Sequence, residues 1–445
     1  MKYKLTLLLL VLVVTITSAQ EKKWTLQECV TYAVENNLSV EQFELDLENT
    51  KIEKSDAFGD MLPNLNASNS YSSNTGFSIN PTNNAPTNST AFNMNASLSS
   101  NVTLFNGLRN MNRLNRAKLN AIASQYRLED LKDDIRLNVA NAYLQVLSNK
   151  ESLKVARAQY AVTEQDLKRT KELVDSGVVP KGDLLEIEAT AANQEQQIVN
   201  GESRVLISRI NLSQLLQITD YRNFDVVDEA FNITPSNVLD NSAKDIFNKA
   251  LTFRNDIKFS ESNVALAEKD LKIAKGAIYP TLSGFVNYGT RYSDATTLPG
   301  GVTPSFEEQL WIFDGISYGA QLNVPVFNGF STKNGIKRAK IQLEKSKLQF
   351  KQDKLDLESN IQQAYVDVKT FLKAYEAAEK TLEARRLAYN YSKERFDVGL
   401  MNAFDFSQAQ SRVDNAEADV VRTKYDYIFR LKILEFYFGI PISLN

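Results

Sequence analysis

One feature limits the fold more than any other: the chain is written twice. Phe105-Asn106-Gly107 returns as Phe327-Asn328-Gly329, Ala142-Tyr143 as Ala364-Tyr365, Gly177 as Gly399, Asp183 as Asp405 and Ile218 as Ile440, all at an offset of 222. Upstream the offset is 217, carrying Thr25-x-x-Glu28 onto Ser242-x-x-Asp245 and Pro63 onto Pro280. A five-residue insertion between Pro280 and Phe327 accounts for the change. A period this long makes each half one structural unit.

Each half predicts the same order of elements. A helix starts at Thr25 or Ser242 and ends before Pro63 or Pro280. A polar stretch rich in Asn, Gly and Ser follows. A very long helix runs from about Leu108 to Val174, or Thr332 to Phe396. A break comes at Gly177 or Gly399, and a last helix runs from Asp183 to Leu216, or Asp405 to Phe438. The division is a leader over 1–19, a first repeat over 20–222, a linker over 223–241 and a second repeat over 242–445.

The long helices carry heptads. Val139, Val146, Leu153, Tyr160, Leu167 and Val174 are seven apart, as are Ile361, Val368, Tyr375, Leu382, Tyr389 and Phe396. Leu184, Ala191, Ile198, Val205 and Leu212 repeat the spacing in one last helix, and Phe406, Val413, Val420, Tyr427 and Leu434 in the other. A strict seven-residue repeat implies left-handed coiled coils. At 1.5 Å per residue each long helix reaches about 100 Å, so it needs a partner along its whole length. Thr25-x-x-Glu28, Asp183-x-x-Glu186 and Asp405-x-x-Gln408 fit capping boxes, which makes Asp183 and Asp405 expected N-caps. Gly177 and Gly399 suit the left-handed residue that closes a helix. Each long helix and its successor therefore form an antiparallel hairpin with a tight tip.

Between the helices the period changes to two. Phe92, Met94, Ala96, Leu98, Val102 and Leu104 alternate with Asn93, Asn95, Ser97, Ser99, Asn101 and Thr103. Tyr318, Ala320, Leu322, Val324 and Val326 alternate with Gly319, Gln321 and Asn323. Leu65 to Ser73 and Leu282 to Tyr292 are weaker partner strands. An apolar face opposite an uncharged polar one marks a membrane barrel with a wet lumen, and an ordinary half-solvated sheet shows the same alternation. Tyr288, Tyr292, Trp311 and Phe313 suit an aromatic girdle. Four strands cannot close a barrel, and open edges are not tolerated in lipid. Two copies give eight strands and three give twelve; the polar inner face favours the wider pore and a homotrimer.

The first residues read as a signal peptide. Lys2 and Lys4 precede the apolar run Leu5 to Ile16 and the small-residue site Thr17-Ser18-Ala19, so the mature chain is expected to start near Gln20. Gln20 is not the cysteine that a lipid anchor needs. No later run is long and apolar enough for a transmembrane helix. Cys29 is the single cysteine, which excludes an intrachain disulfide; on the first helix it reads as an inert packed residue. There is no His, so the usual triads and zinc sites are missing, and neither catalysis nor a cofactor is expected. A net charge of −3 gives no footprint for nucleic acid. Asp130, Asp133 and Asp134 read as a solvated helix face.

With these features together, the chain resembles the TolC-like outer membrane factor family. The paired tips Ser176-Gly177-Val178-Val179-Pro180-Lys181-Gly182-Asp183 and Val398-Gly399-Leu400-Met401-Asn402-Ala403-Phe404-Asp405 carry the resemblance, which spans the mature chain. It implies an α+β membrane protein, with four strands per chain in a trimeric twelve-stranded barrel above a long periplasmic helical tunnel. It implies an exit duct in the bacterial outer membrane for efflux or type I secretion, partnered by outer-membrane lipid, a periplasmic adaptor and an inner-membrane pump. By the same resemblance the periplasmic aperture falls at Asp183 and Asp405, with Gln408 where some members have a second acidic ring. Phe396 stands at the Tyr and Met401 at the Arg of the family's tip lock, so that lock is not expected. Adaptor contact is expected at Gly177, Val178, Gly399 and Leu400. The competing reading is an exported, non-conducting coiled-coil scaffold or adhesin, which leaves the strand pairs unexplained. The transported substrate is not legible.

Overall fold

The computed structural model describes residues 23–79, 84–228 and 236–441. The expected signal peptide and residues 229–235 of the linker lie outside them.

The first half opens with β1 (Lys23–Trp24), α1 (Leu26–Asn36) and α2 (Leu38–Gly59). The strands β2 (Asn66–Ile79) and β3 (Pro86–Phe105) follow, then α3 (Arg109–Asp175) and α4 (Lys181–Leu215). After β4 (Asp225–Val226) and a 3-10 turn at Asn237–Asp240, the second half runs α5 (Ala243–Phe253), α6 (Asn255–Gly276), β5 (Thr281–Ser293), α7 (Phe306–Ile312), β6 (Gly315–Asn323), α8 (Ser331–Asp397) and α9 (Ala403–Phe438). The long helices have 67 residues each.

The order of elements differs from the sequence expectation in two places. The first helix of each half is two helices, broken at Asn37 (ψ 123°) and Arg254 (ψ 129°). Asn37 caps the following helix by accepting the Ser39 N–H at 2.8 Å, so its side chain offsets the lost backbone bond. In the second half, α7 occupies the turn between the strands. Its capping box at Ser305 and Glu308 starts the helix within the inserted stretch.

The described residues form two compact units that do not follow chain order. One comprises residues 23–44, 127–228, 236–257 and 352–441, the other 45–79, 84–126 and 258–351. Each draws on both sequence halves.

In the first unit the heptad residues are all buried or half-buried; Val146, Ile361, Val368 and Leu434 are fully enclosed. Its core gathers Cys29 and Ala33 of α1, Val139 and Tyr143 of α3, Leu212 of α4, Phe224 and Val226 near β4, and Ile428 of α9. The parallel pair β1–β4 is tied down from α3. The Tyr143 hydroxyl donates to the Trp24 carbonyl at 3.2 Å, and Lys150 Nζ meets Asp225 at 2.7 Å and Asp228 at 2.8 Å. Cys29 is a buried packing residue.

The second unit holds a four-stranded antiparallel sheet in the order β2-β3-β5-β6. Its two outer strands, β2 and β6, have open edges. The alternation holds on β3 and β6, and the Ser97 hydroxyl of β3 meets that of Ser68 on β2 across the polar face at 2.7 Å. On β5 that face is not purely polar and uncharged: Phe285 stands opposite Asn101, and Arg291 opposite Asn95. Val324 and Val326 lie beyond the end of β6, and Trp311 and Phe313 are on α7 and its C-cap, not on strands. No helix among the described residues is long and apolar enough to cross a membrane.

Candidate functional site: the paired hairpin tips

Both hairpins turn in the same way. Gly177 (φ 71°) and Gly399 (φ 72°) take the left-handed conformation. Gly177 N–H donates to Val174 O at 2.9 Å and Val178 N–H to Leu173 O at 2.9 Å; Gly399 N–H donates to Phe396 O at 3.0 Å and Leu400 N–H to Arg395 O at 2.8 Å. This is the Schellman closure that glycine permits without a Cβ penalty. Val178 and Leu400, next in line, are left exposed.

The outgoing helices start earlier than their aspartates. The N-cap of α4 is Pro180, with no side-chain cap, and that of α9 is Asn402, whose Oδ1 accepts the Asp405 N–H at 2.8 Å. Asp183 and Asp405 are therefore third-position acids in the first turn, not the N-caps their spacing implied. There they still favour the positive helix end. Asp405 also accepts from Asn402 Nδ2 at 3.0 Å.

The two tips share a cavity of about 380 Å³. It brings together Val178, Asp183, Phe396, Gly399, Leu400 and Met401 from the sequence expectation. Gly177 and Asp405 are not in its lining, and Gln408 lines a separate polar cavity of about 350 Å³ beside Gln194 and Asp414. Phe396 lies flat against Phe406 at 4.5 Å and 3°, and Tyr389 stacks on the same ring at 5.7 Å. Phe406 is nearly fully buried, so these rings form an apolar plug below the turns.

Sequence reasoning missed the charged ties between the hairpins. Lys393 on α8 binds Asp166 on α3 at 2.9 Å, and Arg169 on α3 binds Asp397 at the end of α8 at 2.6 Å. Further up, Gln410 donates to Thr163 at 2.7 Å, Thr190 and Ser407 hydroxyls meet at 2.7 Å, and Gln194 donates to Asp414 at 2.8 Å. Asp166 Oδ2 and the Tyr389 hydroxyl are buried without a hydrogen-bond partner. Burial, with Asp166, Asp414 and Asp397 adding to it, raises the Tyr389 phenol well above its ordinary value. Burial also pushes Asp414 up to about 6, with Glu417 adding to it and the Gln194 hydrogen bond opposing. Among the described residues no cluster of three or more metal-ligating side chains occurs.

The profile of the outer membrane efflux protein family matches residues 31–216 and again 246–439. The chain belongs to that family. Among its relatives are the outer membrane protein TolC of Vibrio cholerae (24% identical over 66% of this chain) and the alkaline protease secretion protein AprF of Pseudomonas aeruginosa (20% over 72%). The matched stretch spans 64% of the length of each relative. The Campylobacter jejuni CmeC outer membrane channel superposes with a TM-score of 0.81 over 93% of this chain and 85% of its own, at 19% identity. The fold of this efflux-family protein is thus α+β and TolC-like, and its location is the outer membrane.

Proposed function

We propose that the protein is a passive exit duct, conducting substrates from the periplasm to the exterior as the outer-membrane part of a tripartite efflux or type I secretion system. The observation that carries this is the four-stranded sheet with two open edges, apolar on one face and largely polar on the other. Such a sheet is viable in lipid only when its edges are paired. Three copies supply twelve strands, enough to enclose a channel rather than a side-chain-filled core. A water-soluble scaffold or adhesin has no use for that sheet. No enzymatic step is assigned to the chain.

The repeats are taken as 20–222 and 242–445 around a linker at 223–241. In this reading the hairpin tips face the periplasm. Asp183, Asp405 and Gln408 line the aperture, and Phe396 and Met401 pack beside it. Gly177, Val178, Gly399 and Leu400 meet the periplasmic adaptor, which joins the duct to an inner-membrane pump. Support for adaptor contact comes from the exposed apolar side chains of Val178 and Leu400 at the turns. The secretion role of AprF and the efflux role of the family bracket the cargo without choosing it.

Release of a small trapped dye from proteoliposomes tests the reading. Asp183→Ala with Asp405→Ala is expected to speed release over wild type. Equal, background-level release from both, with the protein assembled and inserted, counts against a duct closed at these tips.

A further inference from the structure

Charge is spread unevenly along this chain. Its 54 acids outnumber its 51 bases, yet residues 271–293 and 315–343 contain no acid. These two stretches meet in the fold. One runs from the end of α6 through β5, the other from β6 into the start of α8, and Thr281 at the start of β5 pairs with Asn323 at the end of β6. Lys272, Lys275, Lys333, Lys337, Arg338 and Lys340 flank this strand base. All six are exposed, and none makes an ion pair among the described residues.

Exposed lysines alone mark nothing; an apolar groove beside them does. A groove of about 370 Å³ lies at the same strand base. Ile278, Val326, Phe327 and Ile336 are in its lining, and so are Lys333 and Lys337. Ile278, Val326 and Phe327 are 59%, 91% and 76% exposed, so the groove presents apolar surface. Leu322 and Val324, also exposed, lead from the apolar face of β6 to Val326. Phe330, left-handed at φ 64°, meets Phe327 edge-on at 5.6 Å and carries Lys333 Nζ over its ring at 5.9 Å. A lysine stem on apolar surface with its ammonium reaching beyond is the arrangement found at membrane interfaces.

We infer that this groove seats an anionic phospholipid of the leaflet facing the periplasm, an acyl chain lying against Ile278, Val326 and Phe327 and the phosphate at Lys333 and Lys337. The inference rests on the membrane reading of the proposed function, in which the strands span the bilayer and the tips face the periplasm, and adds the lipid class at the strand base. A groove of this volume is in the range of small-ligand sites and takes a segment of one chain. Lys333, Lys337 and Lys340 are spaced by four and three residues and so share one face of α8. At 1.5 Å per residue they span about 10 Å, close to the roughly 5–8 Å of head groups on each side of the hydrocarbon core. An acidic head group gives these ammonium groups a partner, whereas a zwitterionic one brings its own cation. The opposite leaflet is a poorer source of the phosphate: at the far ends of β5 and β6 the chain places Asp294 and Asp314.

The first half has no equivalent. The offset of 222 carries Lys333 and Lys337 back onto Met111 and Asn115. Its nearby cations are engaged, Arg116 with Asp270 at 2.6 Å and Arg113 with Asp60 at 3.8 Å. Each chain therefore offers one such site.

Native mass spectrometry of the delipidated, assembled protein in detergent tests the site, with dioleoylphosphatidylglycerol and dioleoylphosphatidylcholine as probes. Wild type is expected to bind the phosphatidylglycerol at least about fivefold more tightly, the effect of about one lysine at an anionic surface. Lys333→Gln with Lys337→Gln should abolish that preference. Lys347→Gln with Lys351→Gln, the same change of charge about 21 Å further along α8, should leave it intact. Glycerophosphoglycerol, the head group without chains, should not compete at tenfold excess, because the groove holds the chain. A preference that survives in the Lys333/Lys337 variant, or falls equally in both variants, overturns the site. So does competition by the bare head group, or an assembled wild type that binds no phospholipid because a neighbouring copy covers the groove. Failure of the duct reading looks different: the lipid preference follows Lys333 and Lys337, yet the assembly conducts nothing.

Discussion

Arg169 on α3 and Asp397 at the end of α8 are 228 residues apart in sequence and joined at 2.6 Å, tying one hairpin tip to the other. Asp166 and Lys393 make a second tie one turn away. The first pair is about half exposed on the Arg side, so its strength is that of a surface ion pair, about 1 kcal/mol or less. Arg169→Ala is therefore expected to raise the resting open fraction up to about fivefold, and Arg169→Ala with Lys393→Ala to raise it more. Raised salt should act in the same direction, because it screens the exposed tie. Single-channel open probability checks both.

Asn402, not Asp405, caps α9. Asn402→Ala is expected to cost about 1 kcal/mol locally, which speeds amide exchange over residues 403–406 about fivefold. Asp405→Ala keeps the cap acceptor and should change that exchange less. Hydrogen exchange read by mass spectrometry separates the two.

Asp130 is not part of a solvated face. It lies 3.9 Å from the buried Arg254, which also stacks over Phe436 and binds Asp256 at 2.8 Å. Burial first, then Asp256, Asp134 and Asp133, pushes the Asp130 carboxyl up to about 6 despite Arg254. A raised acid binds its proton more tightly when folded. Its charge thus costs stability above about pH 6, and the cost fades as pH falls towards the ordinary carboxylate value. Asp130→Asn is expected to raise the unfolding temperature at about pH 8 and to give no gain at about pH 4. A gain of equal size at both would place its effect elsewhere.

The apolar plug offers a packing test. Phe406→Ala removes a ring sandwiched by Phe396 and Tyr389 and should cost about 3–5 kcal/mol, seen as a lower unfolding temperature of the detergent-solubilised protein. Met401→Ala, half-buried at the cavity wall, should cost less.

What was legible in the sequence was periodic or local. The heptads, the capping boxes at Thr25 and Ser242, the turn glycines and the duplicated Phe-Asn-Gly turns all announce themselves within a few residues. The breaks at Asn37 and Arg254 did not, because a helix pattern continues across them and only the backbone turns away. The two-residue strands β1 and β4 are too short to show a period. Asp183 and Asp405 were misread as caps because Pro180 and Asn402 start the helices earlier, and Pro180 has no capping side chain to reveal it. The ties Asp166–Lys393 and Arg169–Asp397 were hidden for a further reason: their counterparts in the other half are Ala388, Lys171, Tyr391 and Asp175, so the repeat does not double the signal.

The central claim is that the assembled protein is a water-filled duct closed at the hairpin tips. Single-channel recording in a planar bilayer, comparing wild type with Asp183→Ala/Asp405→Ala, tests it most directly. Discrete, cation-preferring current steps are expected, with a preference that falls or a resting conductance that rises in the variant. Silence from both assembled and inserted proteins, persisting when Arg169 and Lys393 are also replaced by Ala, would contradict it.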